Sequence, residues 1–201
     1  MGKKIIASVI AFWMAIGINP AWALLMPHFT LEELVAQSNT IVSGHCVSFH
    51  YHPSADGKVL YAVIRFEVEE YLKNDLGKRE LSLLQVAREE NLEGLRLPGS
   101  VSFGIDEEAY LFLSEEDPDG FCHIVGLSQG KFDVRQNRRG KILIRNLAGV
   151  QFFDREMGAL SRPKGREEKP VAIFREDVKR IASELNAKPE PLLLAQPNRS
   201  F

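Results

Sequence analysis

Hydrophobic and polar residues alternate with a period of two through most of the stretch between residues 41 and 148. The clearest run, 60–69, puts five apolar residues on one side of an extended chain and more polar residues on the other. Such alternation predicts a half-buried β-strand. The same reasoning predicts strands at 41–51, 60–69, 81–87, 109–113 and 121–127, and a last hairpin formed by 132–134 and 141–145.

Five or six strands at this spacing are typical of a small closed barrel or a sandwich. Glycines interrupt the long strands at Gly44, Gly104, Gly126 and Gly130. Closing a sheet into a barrel needs bends and bulges, and glycine permits both. The pattern therefore favours a mainly β protein built on a five- to six-stranded barrel.

One helix is predicted at each end of the strand-rich region, and the N-terminal one is short. Thr30 and Glu33 have the spacing of a capping box, which starts a helix over about residues 31–38. Near the other end, one apolar stripe of an amphipathic helix is formed by Phe174, Val178, Ile181 and Leu185. This C-terminal helix is expected to pack on the barrel, and docking on a partner is the alternative.

The first 23 residues have the form of a secretory signal peptide. Lys3 and Lys4 precede an apolar run over 5–18, and Ala21 and Ala23 form a small-x-small cleavage site. The run is shorter than the roughly 20 residues that span a bilayer, which favours cleavage over a membrane anchor. We therefore expect a periplasmic or secreted protein with no transmembrane span after cleavage.

These boundaries divide the chain into four parts. The signal covers 1–23, the β-barrel domain 24–150, and a linker with the C-terminal helix 151–187. The linker is predicted mainly from the charged, proline-containing residues 161–170, and three prolines in 188–201 predict a disordered tail. The formal net charge of −2 excludes the strongly basic class of nucleic-acid-binding proteins.

The chain has two cysteines, Cys46 and Cys122, and the predicted export determines which oxidation state is expected for them. In an exported protein such a pair is expected to form a disulfide. Free or intermolecular thiols are one alternative. A zinc or copper site in which both thiolates join histidines is the other. The candidate imidazole ligands are His50, His52 and His123. Strict alternation puts His50 and His52 on the same strand face as Cys46, and His123 adjoins Cys122.

The motif Gly-x-Ser-x-Gly at 126–130 matches the nucleophile elbow of hydrolases. That elbow requires a helix after the serine and a histidine later in the chain. Here a strand follows Ser128, and all five histidines precede it. We therefore predict that the protein is not an enzyme and carries no cofactor.

Three stretches resemble the netrin/TIMP-like module, a secreted OB-fold barrel: 38–47, 62–73 and 108–113. The chain also resembles secreted bacterial proteins of unassigned activity that share this arrangement, including the segment Gln-Gly-Lys-Phe at 129–132. The resemblance implies an OB-like barrel. Inhibitory members chelate the zinc of a metalloproteinase through an N-terminal cysteine. Here the expected first residue is Leu24 and no cysteine precedes Cys46, so that mechanism does not carry over.

The function expected from these features is that of an exported, non-enzymatic binding module. Its partner would be another exported or envelope protein. Tyr51, Tyr61 and Tyr71 are the candidate residues of the binding surface. A periplasmic metal-binding protein that uses the cysteines and histidines above is the alternative.

Overall fold

The computed structural model describes residues 24–54, 56, 60–87, 101–138, 140–147, 150–154, 159–161 and 166–187. The predicted signal, 1–23, and the predicted tail, 188–201, lie outside the described residues. The described chain is mainly β, as the alternating pattern predicts. Within it, no helix combines the length and apolar character needed to cross a membrane.

The N-terminal half contains a short strand, a short helix and a meander of long strands. Strand β1 is Leu24–Pro27 and helix α1 is Leu31–Gln37. The meander consists of β2 (Thr40–Pro53), β3 (Leu60–Lys73) and β4 (Glu80–Ala87). These strands lie where the period-two runs predict them, and each of β2 and β3 extends beyond its predicted run.

The second half contains shorter strands and the longer helix. Strands β5 (Glu108–Leu113) and β6 (Phe121–Cys122) precede a 3-10 helix at Leu127–Gly130. Gly126 has a positive φ of 67°, and the chain turns there rather than continuing the strand predicted over 121–127. The remaining elements are β7 (Lys131–Asn137), β8 (Gly140–Asn146), β9 (Val150–Asp154), β10 (Ala159–Ser161), β11 (Arg166–Pro170) and α2 (Val171–Ala187).

Eight of these strands form one open sheet in the order β11-β8-β7-β5-β2-β3-β4-β6. Most neighbours are antiparallel, whereas β6 runs parallel to β4. Just beyond β6, an isolated antiparallel bridge joins Ile124 to Leu113 at the end of β5. A separate three-stranded sheet has the order β1-β9-β10. All but the first residue of β9, together with β10 and β11, lies in the segment 151–187, where the sequence pattern predicts a linker and a helix.

Strand β11 forms within that predicted linker because the edge of β8 offers it a partner. Its five residues pair antiparallel with β8, from Arg166 opposite Asn146 to Pro170 opposite Ile142. The segment is too polar and too rich in proline to predict a strand from alternation alone. A proline at the end of an edge strand costs no ladder hydrogen bond, since its missing N–H is not required there.

Apolar side chains cover both faces of the large sheet. Alternate residues of β5 enter opposite clusters: Tyr110 and Phe112 pack against the helices, whereas Leu111 and Leu113 pack on the other face. The helix-side cluster holds Leu34, Val35, Phe132, Phe174 and Val178 among others. The cluster on the other face, which we call the inner cluster, includes Cys46, Ile64, Phe66, Leu81, Leu83 and Cys122.

Helix α1 begins and ends through specific contacts. The capping box predicted from the sequence is present: Thr30 Oγ1 accepts from the Glu33 N–H at 3.2 Å, and a Glu33 carboxylate oxygen accepts from the Thr30 N–H at 2.8 Å. At the other end, Lys73 Nζ donates to the Val35 and Ser38 carbonyls, both at 2.6 Å. A cation at a helix C-terminus satisfies carbonyls that have no partner within the helix.

Helix α2 confirms the predicted amphipathic stripe over most of its length. Phe174, Val178 and Ile181 are buried against the sheet and α1, whereas Leu185 is 40 % exposed. The helix therefore packs on its own domain. Arg175 and Lys179 on its flank also bind Glu70 of β3, each at 2.7 Å.

Candidate functional site

The C-terminal ends of β2 and β4 lie beside the N-terminal end of β3 and present an apolar face with two histidines. In an antiparallel sheet, residues opposite one another point to the same side. On the side facing away from the core, the register forms two rows, which together we call the tip face: His50–Val63–Leu84 and His52–Tyr61–Val86. Val86 is 58 % exposed, both histidines are exposed, and the other three side chains are half-buried.

The same side of the sheet is charged closer to the middle of the domain. Arg65 and Glu80 form an ion pair at 2.6 Å. His45 lies 3.4 Å from both Glu67 and Glu69. The outward side thus changes from ion-paired residues to apolar and imidazole side chains at the tip, where solvation alone would favour polar residues.

A β-bulge in β2 decides which of its residues face outward. The register shifts between Cys46 and Ser48, so that Cys46 lies opposite Phe66 whereas Phe49 lies opposite Ile64. Cys46 and Phe49 therefore both pack on the inner cluster. Strict alternation predicts Cys46, His50 and His52 on one face, and this prediction is wrong because the bulge inserts one extra residue.

The predicted metal ligands do not come together. His50 and His52 are on the tip face, whereas Cys46 and Cys122 are inside. His123 directs its Nδ1 to the Leu84 carbonyl at 3.0 Å and its Nε2 to Asp117 at 3.2 Å. In the part of the chain that the structure describes, no three histidine, cysteine or acidic side chains are placed to hold a metal ion.

Both cysteines are free thiols, so the disulfide predicted from the sequence is not formed in the structure. Each is fully buried in the inner apolar cluster, and Cys46 Sγ contacts the Ser48 carbonyl at 3.7 Å. Burial raises the pKa of Cys46, and it raises the pKa of Cys122 to about 11. Such thiols are protonated and poorly nucleophilic at neutral pH.

The three candidate tyrosines occupy different places. Tyr61 belongs to the tip face, whereas Tyr51 lies opposite Ala62, points to the other side and packs edge-on to Phe49 at 6.0 Å. Tyr71, ten residues along β3 from Tyr61, donates its hydroxyl to the Lys78 carbonyl at 2.8 Å. Of these three residues, the structure brings only Tyr61 to the tip face.

The Gly-x-Ser-x-Gly motif does not form a nucleophile elbow. Its residues end in a 3-10 helix that leads directly into β7, and Ser128 is buried. A nucleophile needs an exposed hydroxyl on a strand-to-helix turn with a base in reach. The Ser128 hydroxyl has no hydrogen-bond partner among the described residues.

A buried polar pair, missed by the sequence patterns, is formed by Gln129 and Arg145. Arg145 Nε donates to the Gln129 carbonyl at 3.1 Å. Both side chains also bind the main chain of Phe29, which lies 100 positions before Gln129 and 116 before Arg145. Burial lowers the pKa of Arg145, and the nearby Glu167 carboxylate opposes that effect. No local signal marks such a pair, since its partners are distant in sequence.

A second unpredicted cluster surrounds Lys131 at the start of β7. Its ammonium contacts Glu107 at 3.2 Å, forms an ion pair with Asp133 and lies over the Phe103 ring. Burial alone would raise the pKa of Glu107. The Lys131 charge, the Gly104 N–H and Arg135 outweigh burial and hold that pKa below its ordinary value. Each charge has an opposite partner, as a structural ion-pair network requires.

Comparison with protein-family models, with curated proteins and with solved structures finds no match to this chain. Functional assignment therefore rests on the geometry described above.

Proposed function

We propose that this chain is an exported, non-enzymatic binding module of the OB-like class, and that it recognises another exported or envelope protein through the tip face. The single observation that carries the proposal is a contiguous group of apolar side chains, one exposed and three half-buried, on a strand face that is elsewhere charged. Val86 is 58 % exposed, and the half-buried Tyr61 lies beside it in the same row.

The OB-like part of the proposal is supported by strand connectivity. The long β2 pairs with β3 over almost its whole length and with β5 over its first six residues. The parallel pairing of β6 with β4, followed by the Ile124–Leu113 bridge, leads back to β5. Closure through this bridge would give a five-stranded barrel of the OB type, with β7, β8 and β11 as an extension.

The side chains of the tip face suit a protein partner. Contiguous exposed apolar groups mark interaction surfaces, and tyrosine supplies contact area at a low entropic cost. His50 and His52 border the apolar centre and offer donors and acceptors to the partner's polar rim. No catalytic group is needed for such a role.

Photo-crosslinking from the tip face tests this proposal. A photoreactive residue replaces His52 in the protein expressed with its own N-terminal segment, and adducts are identified by mass spectrometry. One reproducible partner from the exported fraction is expected. Its yield should fall at least tenfold when Tyr61→Ser and Val86→Ser are combined.

The matched control is Phe153→Ser on β9, where the replaced side chain is also exposed, at 42 %, but lies on the other sheet. This variant should crosslink like the unchanged protein. Adducts that differ at random between repeats, or a yield insensitive to the double substitution, would reject the tip face as the binding surface.

A further inference from the structure

We propose that Gln129 and Arg145 form a recognition site for an extended peptide, and that residues 27–29 of the same chain occupy it in this structure. The site is separate from the tip face and does not depend on the function proposed above. Its natural ligand would be an extended segment of another polypeptide with a proline and, two residues later, an aromatic side chain.

The first argument is that the two side chains form hydrogen bonds with neighbouring main-chain groups of residues 27–29. Gln129 Nε2 donates to the Pro27 carbonyl at 2.9 Å, and Gln129 Oε1 accepts from the Phe29 N–H at 2.8 Å. Arg145 Nη2 donates to the Phe29 carbonyl at 3.0 Å. Two side chains therefore satisfy three backbone groups of the segment 27–29, as happens when a cleft binds a peptide main chain.

The second argument is that the body of the domain holds this site in place. Gln129 is 0 % and Arg145 4 % exposed, and Arg145 Nε donates to the Gln129 carbonyl at 3.1 Å. The guanidinium also stacks over the Phe132 ring, 5.3 Å from its centroid. Groups fixed from behind in this way need little ordering when a peptide enters.

The third argument concerns selectivity. A Cβ added at Gly126 would lie 2.8 Å from Phe29 Cδ2, so the absence of a side chain there makes room for the ring. Arg145 Nη1 lies 3.3 Å from the Glu167 carboxylate, whose negative charge balances the positive charge of the guanidinium. An uncharged main chain with an aromatic anchor therefore suits the site better than an acidic ligand.

The fourth argument is that the occupying segment lies at the periphery. Strand β1 is an edge strand of its three-stranded sheet, with β9 as its hydrogen-bonded neighbour. Only Thr30 separates Phe29 from α1. Edge segments of this kind open at a lower free energy than core strands, so an external peptide can compete for the site.

A peptide with the sequence of residues 24–30, labelled with a dye, is the probe that tests this inference. Fluorescence anisotropy compares its binding to the unchanged protein and to Phe29→Ala. The internal segment competes at an effective concentration on the order of millimolar. Weakening its anchor should therefore tighten binding of the probe at least tenfold. Ile173→Ala, on the exposed side of α2, should bind like the unchanged protein.

Two results would overturn the proposal: equal affinity of Phe29→Ala and the unchanged protein, or equal binding of a probe in which alanine replaces phenylalanine. A second measurement covers the case in which Phe29→Ala fails to fold. In the unchanged protein, millimolar probe should accelerate hydrogen exchange of the amides of 24–29 without affecting β3. Unaltered exchange under these conditions would also reject the site.

Discussion

Gly44 on β2 lies so close to Glu67 on β3 that a methyl group at its Cα would be 1.9 Å from the Glu67 carbonyl oxygen. The clashing atom belongs to the backbone of a paired strand and cannot move without opening the sheet. We expect Gly44→Ala to lower the free energy of unfolding by about 2–3 kcal/mol. Urea denaturation measures this change.

The control for Gly44 is Gly104→Ala, because a Cβ there would have its nearest neighbour at an ordinary 3.7 Å. Its free energy of unfolding should stay within about 1 kcal/mol of the unchanged protein. Equal destabilisation by the two substitutions would show that the close approach of β2 and β3 is not responsible.

Phe174 anchors α2 in the helix-side cluster through three aromatic neighbours. Its ring centroid lies 4.8 Å from that of Phe132, 5.6 Å from Tyr110 and 6.2 Å from Phe112. Phe174→Ala should cost about 3–5 kcal/mol of unfolding free energy, since it leaves a cavity. The neighbouring Ile173 is 51 % exposed, and Ile173→Ala should cost no more than about 0.5 kcal/mol. Similar losses would mean that α2 is not packed as described.

Glu107 should make the fold sensitive to acid. Although burial opposes it, the pKa of this carboxyl lies below its ordinary value because Lys131, the Gly104 N–H and Arg135 favour the ionised form. A lowered folded-state pKa stabilises the protein at pH values above the unfolded-state pKa, and the contribution is lost as pH falls through the folded-state pKa.

Urea denaturation at pH 7, 5 and 3 checks this dependence with Glu107→Gln. At pH 7 the substitution should cost about 2 kcal/mol, and the difference should shrink towards pH 3. Glu115→Gln, at an exposed position, should differ from the unchanged protein by less than about 0.5 kcal/mol throughout. A difference for Glu107→Gln that persists undiminished at pH 3 would contradict the assignment.

Cys46 and Cys122 should both titrate as thiols once the protein is unfolded. In the native protein at pH 8, reaction with a disulfide reagent should be slow, because both groups are buried and the pKa of Cys122 is raised to about 11. Denaturation without reductant should then release two thiols per chain. If no thiol is detected after denaturation, the two cysteines form the disulfide that the export signal predicts.

Local patterns predict much of this fold because their causes are local. The alternation in 60–69 predicts β3, and the Thr30–Glu33 spacing predicts the start of α1; both depend on neighbours within a few residues. Strand β11 was not predictable in this way, since its polar sequence becomes a strand only beside the edge of β8. The short β6 and the turn at Gly126 likewise depend on what surrounds them.

The candidate sites show the same division. The sequence identifies His50, His52 and Tyr61 as residues of interest, but strict alternation puts the two histidines on the side of Cys46. One extra residue in the bulge at 46–48 separates them. Gln129 and Arg145 carry no local signal at all, since their hydrogen bonds to Phe29 span 100 and 116 positions.

By itself, the sequence determined the mainly β character, most strand positions and the two helices, because hydrophobic periodicity and helix capping act over short distances. Only the tertiary structure decided which side each residue of β2 faces and where the cysteines lie. It also decided which segments, far apart in sequence, are joined by the hydrogen bonds of Gln129 and Arg145. Those outcomes depend on strand register and long-range packing, which no window of neighbouring residues encodes.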